Sequence, residues 1–93
     1  MRVREKTIEQ YLRRRVMERG GLCLKFTSPG TVGVPDRVLL LPAGRIFFVE
    51  CKSPGGNFTH RQRHVAEVFS TLGHTVRLVD SRASVDLFME EIA

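Results

Sequence analysis

The sequence predicts an α/β fold in which a mixed β-sheet is flanked by helices, with the elements in the order α-β-β-β-α-β-α. Two observations carry this prediction. Apolar residues recur with helical spacing near the start, in the middle and at the end of the chain, and four short runs of aliphatic and aromatic residues lie between these segments. The 93 residues suffice for one compact domain, 1–93, and are too few for two.

The first helix is predicted from about Arg4 to Arg19, where Gly20 and Gly21 end it. Three aliphatic side chains recur at every fourth position along one stripe of this helix: Ile8, Leu12 and Val16. Glu5 and Glu9 fall on or beside the same stripe. An acidic group facing a core is unfavourable unless a positive charge meets it, and a solvated place at the margin of the stripe is the ordinary alternative.

Four segments predict strands: Leu22–Phe26, Arg37–Leu41, Arg45–Lys52 and Thr75–Val79. The turn Pro42-Ala43-Gly44 joins the second and third strands into a hairpin. Thr59 is predicted to cap a second helix that Gly73 ends. The apolar spacing of Val85, Phe88, Met89 and Ile92 predicts a third helix. The segment from Ile46 to Val79 therefore reads as a right-handed β-α-β crossover between parallel strands.

The composition indicates a polyanionic partner. The net charge is +5, and twelve of the fifteen basic residues are arginine, which suits bidentate contacts with phosphate. A protein that is merely basic is the alternative. The two cysteines form neither a CxxC pair nor a disulfide framework, and no targeting signal or membrane-length apolar run is present. We expect a cytoplasmic protein of a bacterial or phage-infected cell, without a membrane partner or a small-molecule cofactor.

The hairpin register brings three polar residues to one end of the sheet. If Leu41 pairs with Arg45, Asp36 lies opposite Glu50, and directly opposed side chains project from the same face about 5 Å apart. Lys52 lies two residues beyond Glu50 and points to that face as well. Two close carboxylates repel unless a cation lies between them, and oxygen ligands suit Mg²⁺, with Mn²⁺ as a substitute. The alternative is a cross-strand ion pair on a solvated face.

The motifs Gly33-Val34-Pro35-Asp36-Arg37 and Phe48-Val49-Glu50-Cys51-Lys52 closely resemble those of the PD-(D/E)XK nuclease superfamily. Within that superfamily, which has a restriction-endonuclease-like core, the chain resembles the virus-type replication-repair nuclease (VRR-NUC) domain. The resemblance covers nearly the whole chain, from Glu5 and Ile8 in the first helix to Gln62 in the second.

This resemblance implies a role for each matching residue. Asp36 and Glu50 would bind the metal together with the backbone carbonyl of Cys51, and Lys52 would be the catalytic lysine. Glu5 matches the first-helix glutamate of the family best, with Glu9 as the alternative one turn later. Gln62 matches a family glutamine, although Thr59-x-x-Gln62 also fits a capping box.

Four basic residues are predicted to contact DNA: Lys25, Arg37, Arg61 and Arg63. Lys25 also fits a solvated strand position. His60 and His64 stand at a spacing that could bind a metal, but without a third ligand they fit better as residues facing solvent or phosphate. The cluster Arg13-Arg14-Arg15 with Arg19 fits either a solvated helix face or contacts along a DNA backbone.

The resemblance implies an endonuclease that hydrolyses phosphodiester bonds with metal-activated water and forms no covalent intermediate. It further implies branched DNA, such as four-way junctions, as the substrate of a homodimer that acts like a Holliday-junction resolvase. The main alternative is a non-catalytic DNA-binding module on the same fold. An RNA-binding protein is disfavoured because the chain has a single tyrosine and no RNP-type aromatic pattern.

Overall fold

The computed structural model describes residues 4–93 and has the predicted order of elements. The helices are α1 (Glu5–Glu18), α2 (His60–Thr71) and α3 (Arg82–Glu91), and the strands are β1 (Leu22–Lys25), β2 (Arg37–Leu41), β3 (Arg45–Cys51) and β4 (Val76–Val79). Each observed strand end lies within one residue of its predicted position. A single 3-10 turn, Pro42–Gly44, joins β2 to β3. No helix of the described residues is long and apolar enough to cross a membrane.

The four strands form one mixed sheet in the order β1-β2-β3-β4. The first three strands are antiparallel, whereas β4 runs parallel to β3. The helix α2 connects these two parallel strands, as the predicted crossover requires. The sheet thus carries its two sequence motifs on neighbouring central strands.

Helices α1 and α3 cover one face of this sheet and form the main core with it. The stripe Ile8, Leu12 and Val16 is fully buried, as predicted from its spacing. The other core members come from the sheet and from α3: Cys23, Leu39, Leu41, Val49, Cys51, Val79, Val85, Phe88 and Met89. The cysteines accordingly behave as small apolar side chains, and burial raises the pKa of both thiols.

The return from α1 into β1 requires a residue without a side chain. A Cβ at Gly21 would lie 2.7 Å from the carbonyl oxygen of Leu40 and 2.8 Å from Leu41 Cδ2, both closer than packed atoms allow. Gly20, with φ +77°, ends the helix in the left-handed region that favours glycine. The close approach at Gly21 holds α1 against the β2–β3 hairpin, and the first turn of α1 thereby reaches the hairpin's open end.

Helix α2 covers only part of the opposite sheet face. Phe69 of α2 packs edge-on against Phe48 of β3, with ring centroids 4.9 Å apart. Beyond this contact, four large aliphatic side chains of the same face are 38–55% exposed: Leu22, Leu24, Leu40 and Ile46. We call these four residues the open apolar patch. They share one face because Leu22 pairs with Leu40, and Leu40 in turn pairs with Ile46.

Candidate active site

The register predicted for the hairpin is confirmed. Leu41 pairs with Arg45, and Arg37 pairs with Val49, so the next position along each strand brings Asp36 opposite Glu50. The amide of Asp36 donates to Glu50 Oε1 at 3.2 Å. The amide of Cys51 donates to Asp36 Oδ2 at 3.3 Å. Each carboxylate therefore accepts a hydrogen bond from the other strand, and the two are fixed side by side at the strand ends.

Glu50 is the more enclosed carboxylate, with 6% of its side chain exposed. Its second oxygen, Oε2, lies 3.4 Å from the Lys52 ammonium. The same oxygen accepts a hydrogen bond from Gln62 Nε2 at 3.1 Å. A buried carboxylate is stable only when charges or donors compensate it, and Lys52 and Gln62 provide both.

The side-chain amide of Gln62 contacts both the start of α2, through its oxygen, and the candidate site, through its nitrogen. Its Oε1 accepts from the amide of Thr59 at 2.9 Å, while the Thr59 hydroxyl accepts from the Gln62 amide at 3.1 Å. These contacts form the capping box that begins α2. Because the carbonyl oxygen is used in the cap, the amino group is left to reach Glu50. The two alternatives offered by the sequence, a cap and a site residue, are therefore compatible.

Helix α1 adds two carboxylates on the other side of Asp36. Glu5 and Glu9 each place an oxygen within 4.8 Å of the other and of Asp36. Glu5 is exposed, whereas Glu9 is partly buried and pairs with Arg37 at 3.1 Å. The choice between Glu5 and Glu9 that the sequence left open thus becomes a distinction between an exposed carboxylate and one that is paired with Arg37.

The ion pair between Arg37 and Glu9 is a contact that the sequence analysis did not predict. The prediction placed Arg37 against DNA, but only 17% of its side chain is exposed and its guanidinium binds Glu9. The helix pattern could have indicated this ion pair, because a glutamate beside a buried stripe, as at Glu9, is stable when a positive charge lies next to it. Arg37 lies on the sheet face under α1, so it provides that charge. Its Nε is buried without a hydrogen bond in the described part of the chain.

The electrostatics of the site favour a bound cation. Burial, followed by the charge of Glu50, raises the pKa of Asp36 from 3.8 to about 7. Burial also raises the pKa of Glu50, and Lys52 opposes that rise. A divalent cation between the carboxylates would relieve both effects, and their oxygen atoms are the ligands that a hard cation such as Mg²⁺ prefers. The donor set present here therefore fits such an ion.

The remaining predicted residues lie around this centre. Lys25 pairs with Arg37, so it projects from the sheet face opposite to that of Glu50, and it is exposed. Arg61 and Arg63 are exposed on the first turns of α2, where Arg63 stacks over Phe58 with 5.8 Å between guanidinium and ring. The thiol of Cys51 lies in the core, away from the carboxylates.

The two histidines of α2 do not join a ligand cluster. Among residues 4–93, the one group of three or more acidic, histidine or cysteine side chains with ligand atoms all within 4.8 Å of one another is Glu5, Glu9 and Asp36, and it contains neither histidine. His64 instead borders a surface depression with apolar residues of α2, including Val65 and Phe69. This placement agrees with the solvent-facing interpretation of the pair.

Comparison with known proteins identifies a phage protein and a solved structure that resemble this chain over most of its length. The phage protein, of Acyrthosiphon pisum secondary endosymbiont phage 1, bears the name "Putative nuclease p44" and is 49% identical over 81 residues, which cover 86% of each chain. The solved structure is a VRR_NUC domain that superposes with a TM-score of 0.90 at 32% identity, covering 96% of this chain and 97% of its own. No protein-family model matches the sequence.

Replacing Asp36 with asparagine should stabilise the metal-free protein at neutral and higher pH. Because the pKa of Asp36 is raised from 3.8 to about 7, the folded state holds a proton that the unfolded chain has released, and folding stability falls as pH rises through that window. The free energy of unfolding of Asp36→Asn minus that of the wild type should therefore rise from pH 4 to pH 7. The full shift corresponds to at most about 4 kcal/mol, and because solvent screens this partly exposed site the expected gain above pH 7 is about 1–2 kcal/mol.

Urea denaturation in the presence of a chelator, from pH 4 to pH 8.5, measures this difference. The matched control is Glu67→Gln, which removes one negative charge from an exposed position of α2. A flat difference for Asp36→Asn across the window would contradict the account of the carboxylate pair.

Proposed function

The chain belongs to the VRR-NUC family of nucleases, and from this premise we propose that it is a Mg²⁺-dependent DNA endonuclease selective for branched DNA, such as four-way junctions. The observation that carries the proposal is the pairing of Asp36 with Glu50 at one strand end, with Lys52 beside them. Mn²⁺ is the expected substitute for Mg²⁺. The products would be those of phosphodiester hydrolysis.

Asp36, Glu50 and the backbone carbonyl of Cys51 would hold the ion. When bound, it would supply the positive charge that activates water and stabilises negative charge on the phosphate. The protein's own contribution is to fix the two carboxylates in advance. The Asp36 amide donates to one oxygen of Glu50, and Gln62 donates to the other. The Cys51 amide is shared between the two oxygens of Asp36. Such fixed ligands need little rearrangement when the cation and substrate arrive.

Lys52 is the proposed source of charge stabilisation for the reacting phosphate. Its ammonium lies 3.4 Å from Glu50 Oε2, and 20% of the Lys52 side chain is exposed, so we propose that it can also donate toward an approaching anion. Glu5, which is exposed next to Asp36, is positioned to accept a hydrogen bond from a water molecule. Glu9 is held by Arg37, and we assign Arg37 to keeping that carboxylate in place rather than to direct DNA contact.

The positive charge of the chain supports a nucleic-acid substrate. The net charge is +5. The exposed Arg61 and Arg63 follow directly on the capping residues of α2, so they border the site and are proposed to contact the DNA backbone. Lys25 is exposed at the same end of the sheet and is proposed to act in the same way.

We further propose that the protein acts as a homodimer through the open apolar patch. Four large aliphatic side chains on one sheet face are an unusual surface for a monomer, because they expose a contiguous apolar area to water. A twofold dimer through this face would bury them and present two active sites for cleavage of two strands. The small core of a 93-residue chain also gains from such burial.

The second candidate function is a DNA-binding module without catalysis. It would need the same basic surface but not the carboxylate pair or Lys52. The retention of these three side chains in one constellation favours the enzyme. A cleavage assay, rather than a DNA-binding assay, therefore distinguishes the two functions.

Replacing Lys52 with methionine should reduce the single-turnover rate about 10²–10³-fold, since charge on the phosphate loses a partner. The measurement is cleavage of a labelled four-way junction and of a linear duplex of equal length, in Mg²⁺ and after chelation. The wild type should cut the junction preferentially and only with metal. Lys6→Met, an exposed position of α1, is the matched control for loss of one lysine. Cleavage that survives chelation, or a normal rate for Lys52→Met, would refute the proposed chemistry.

Introducing charge into the open apolar patch should separate the dimer. We expect the wild type to sediment as a dimer at micromolar concentration and the variant Leu40→Asp/Ile46→Asp as a monomer, because an aspartate cannot be buried there without a partner. The control Leu87→Asp places a charge on α3 at a side chain that is 53% exposed, compared with 38% for Leu40 and 43% for Ile46. A wild-type monomer that still cleaves the junction would rule the dimer out.

A further inference from the structure

The arginines of α1 divide into those that hold the fold together and those that do not. Arg15 pairs with Asp86 of α3, and its Nε lies 3.4 Å from Glu18. Arg19 donates to the backbone carbonyl of Met89 in α3 at 2.5 Å. These two guanidinium groups therefore link α1 to α3 and are not available to a ligand.

Arg14 is different, because it shares the Tyr11 ring with a second arginine and pairs with no carboxylate of residues 4–93. The guanidinium of Arg14 lies 5.1 Å from the centroid of the Tyr11 ring, and that of Arg82, from α3, lies at the same distance. The two positive groups are thus at most twice that distance apart. Within residues 4–93, neither makes an ion pair or a hydrogen bond to another protein group.

The Tyr11 ring is itself fixed. Its hydroxyl donates to Asp86 at 2.5 Å, and Arg15 compensates the charge of that aspartate. Cation–π attraction then draws two guanidinium groups to one rigid ring, against their mutual repulsion. Each keeps its N–H donors free, so an anion would be held by both and would remove the repulsion between them.

A recess of about 220 Å³ opens at this point. In the described part of the chain its lining holds no carboxylate and consists of Thr7, Gln10, Tyr11, Arg14 and Arg82. The donors that it offers are the Thr7 hydroxyl, the Gln10 amide and the two guanidinium groups. Such a set of donors matches the oxygen atoms of a phosphodiester. It lies apart from the carboxylates of the active site, whose charge would repel an anion.

We propose that Arg14 and Arg82 form a second phosphate-binding site, for the backbone of a further arm of a branched DNA substrate. The position supports this assignment. Nine residues separate Glu5 from Arg14, which amounts to about 13 Å along α1 and half a turn around it. The recess therefore faces away from the active site, where an arm that diverges from the cleaved strand would pass. The identity of the ligand as DNA rests on the proposed function.

The test is the affinity of the full chain for DNA in the presence of a chelator, measured by fluorescence anisotropy at several salt concentrations. Arg14→Gln/Arg82→Gln should bind a four-way junction about tenfold more weakly, and its salt slope should fall by about 1–2. Binding to a short linear duplex should change little. Single-turnover cleavage at saturating DNA with Mg²⁺ should also change little, because the active site is untouched.

Two controls distinguish a specific phosphate-binding site from a general effect of the protein's net charge on DNA affinity. Lys6→Gln/Arg13→Gln removes the same charge from other exposed positions of α1. Tyr11→Leu removes the ring but no charge and should weaken junction binding, whereas Tyr11→Phe retains the ring, loses the hydrogen bond to Asp86 and should weaken binding less. An equal loss in the charge control, or unchanged junction affinity in Arg14→Gln/Arg82→Gln, would overturn the proposal. Tighter binding of an RNA duplex at this site would overturn its assignment to DNA.

The outcomes also distinguish this inference from the proposed function. Normal cleavage with unchanged affinity in Arg14→Gln/Arg82→Gln would remove the second site and leave the nuclease intact. Reduced junction affinity without any metal-dependent cleavage by the wild type would leave the second site intact and remove the nuclease.

Discussion

The repulsion between Asp36 and Glu50 is the constraint on which the other contacts of the site depend. The hairpin register sets these carboxylates opposite each other, and burial removes the water that would screen them. Several neighbouring groups offset part of this repulsion, whereas Glu5 and Glu9 add to the negative charge. Backbone amides donate to each carboxylate, and Lys52 and Gln62 compensate Glu50. A cation bound between the two carboxylates would relieve this cost, which is the physical basis of the proposed metal site.

The sequence was informative where local rules decide the geometry. A three-residue connection at Pro42–Gly44 allows few hairpin geometries, so the pairing of Leu41 with Arg45 could be assigned before the structure. Glycines after α1 and α2 marked helix ends correctly. The capping box of Thr59 and Gln62 could be predicted from the sequence because its two residues lie only three positions apart.

The remainder depends on contacts between distant segments, which spacing alone does not encode. The pairing of Glu9 with Arg37 joins residues 28 positions apart, and it changed the interpretation of Arg37. The dual use of Gln62 depends on how α2 sits over β3. Likewise, the sequence could not say which arginines of α1 were free, because their partners Asp86 and Met89 lie in α3. Local pattern thus gave the elements, and tertiary packing determined which charges remain available.

The most direct test of this account is calorimetric titration of Mn²⁺ into the wild type and into Glu50→Gln at pH 8. The pair of buried carboxylates should bind the ion, and removal of one negative charge should weaken binding by at least about 10–100-fold. Circular dichroism would verify that the variant is folded. Equal Mn²⁺ affinity in the two proteins would contradict the claim that Asp36 and Glu50 form one cation site.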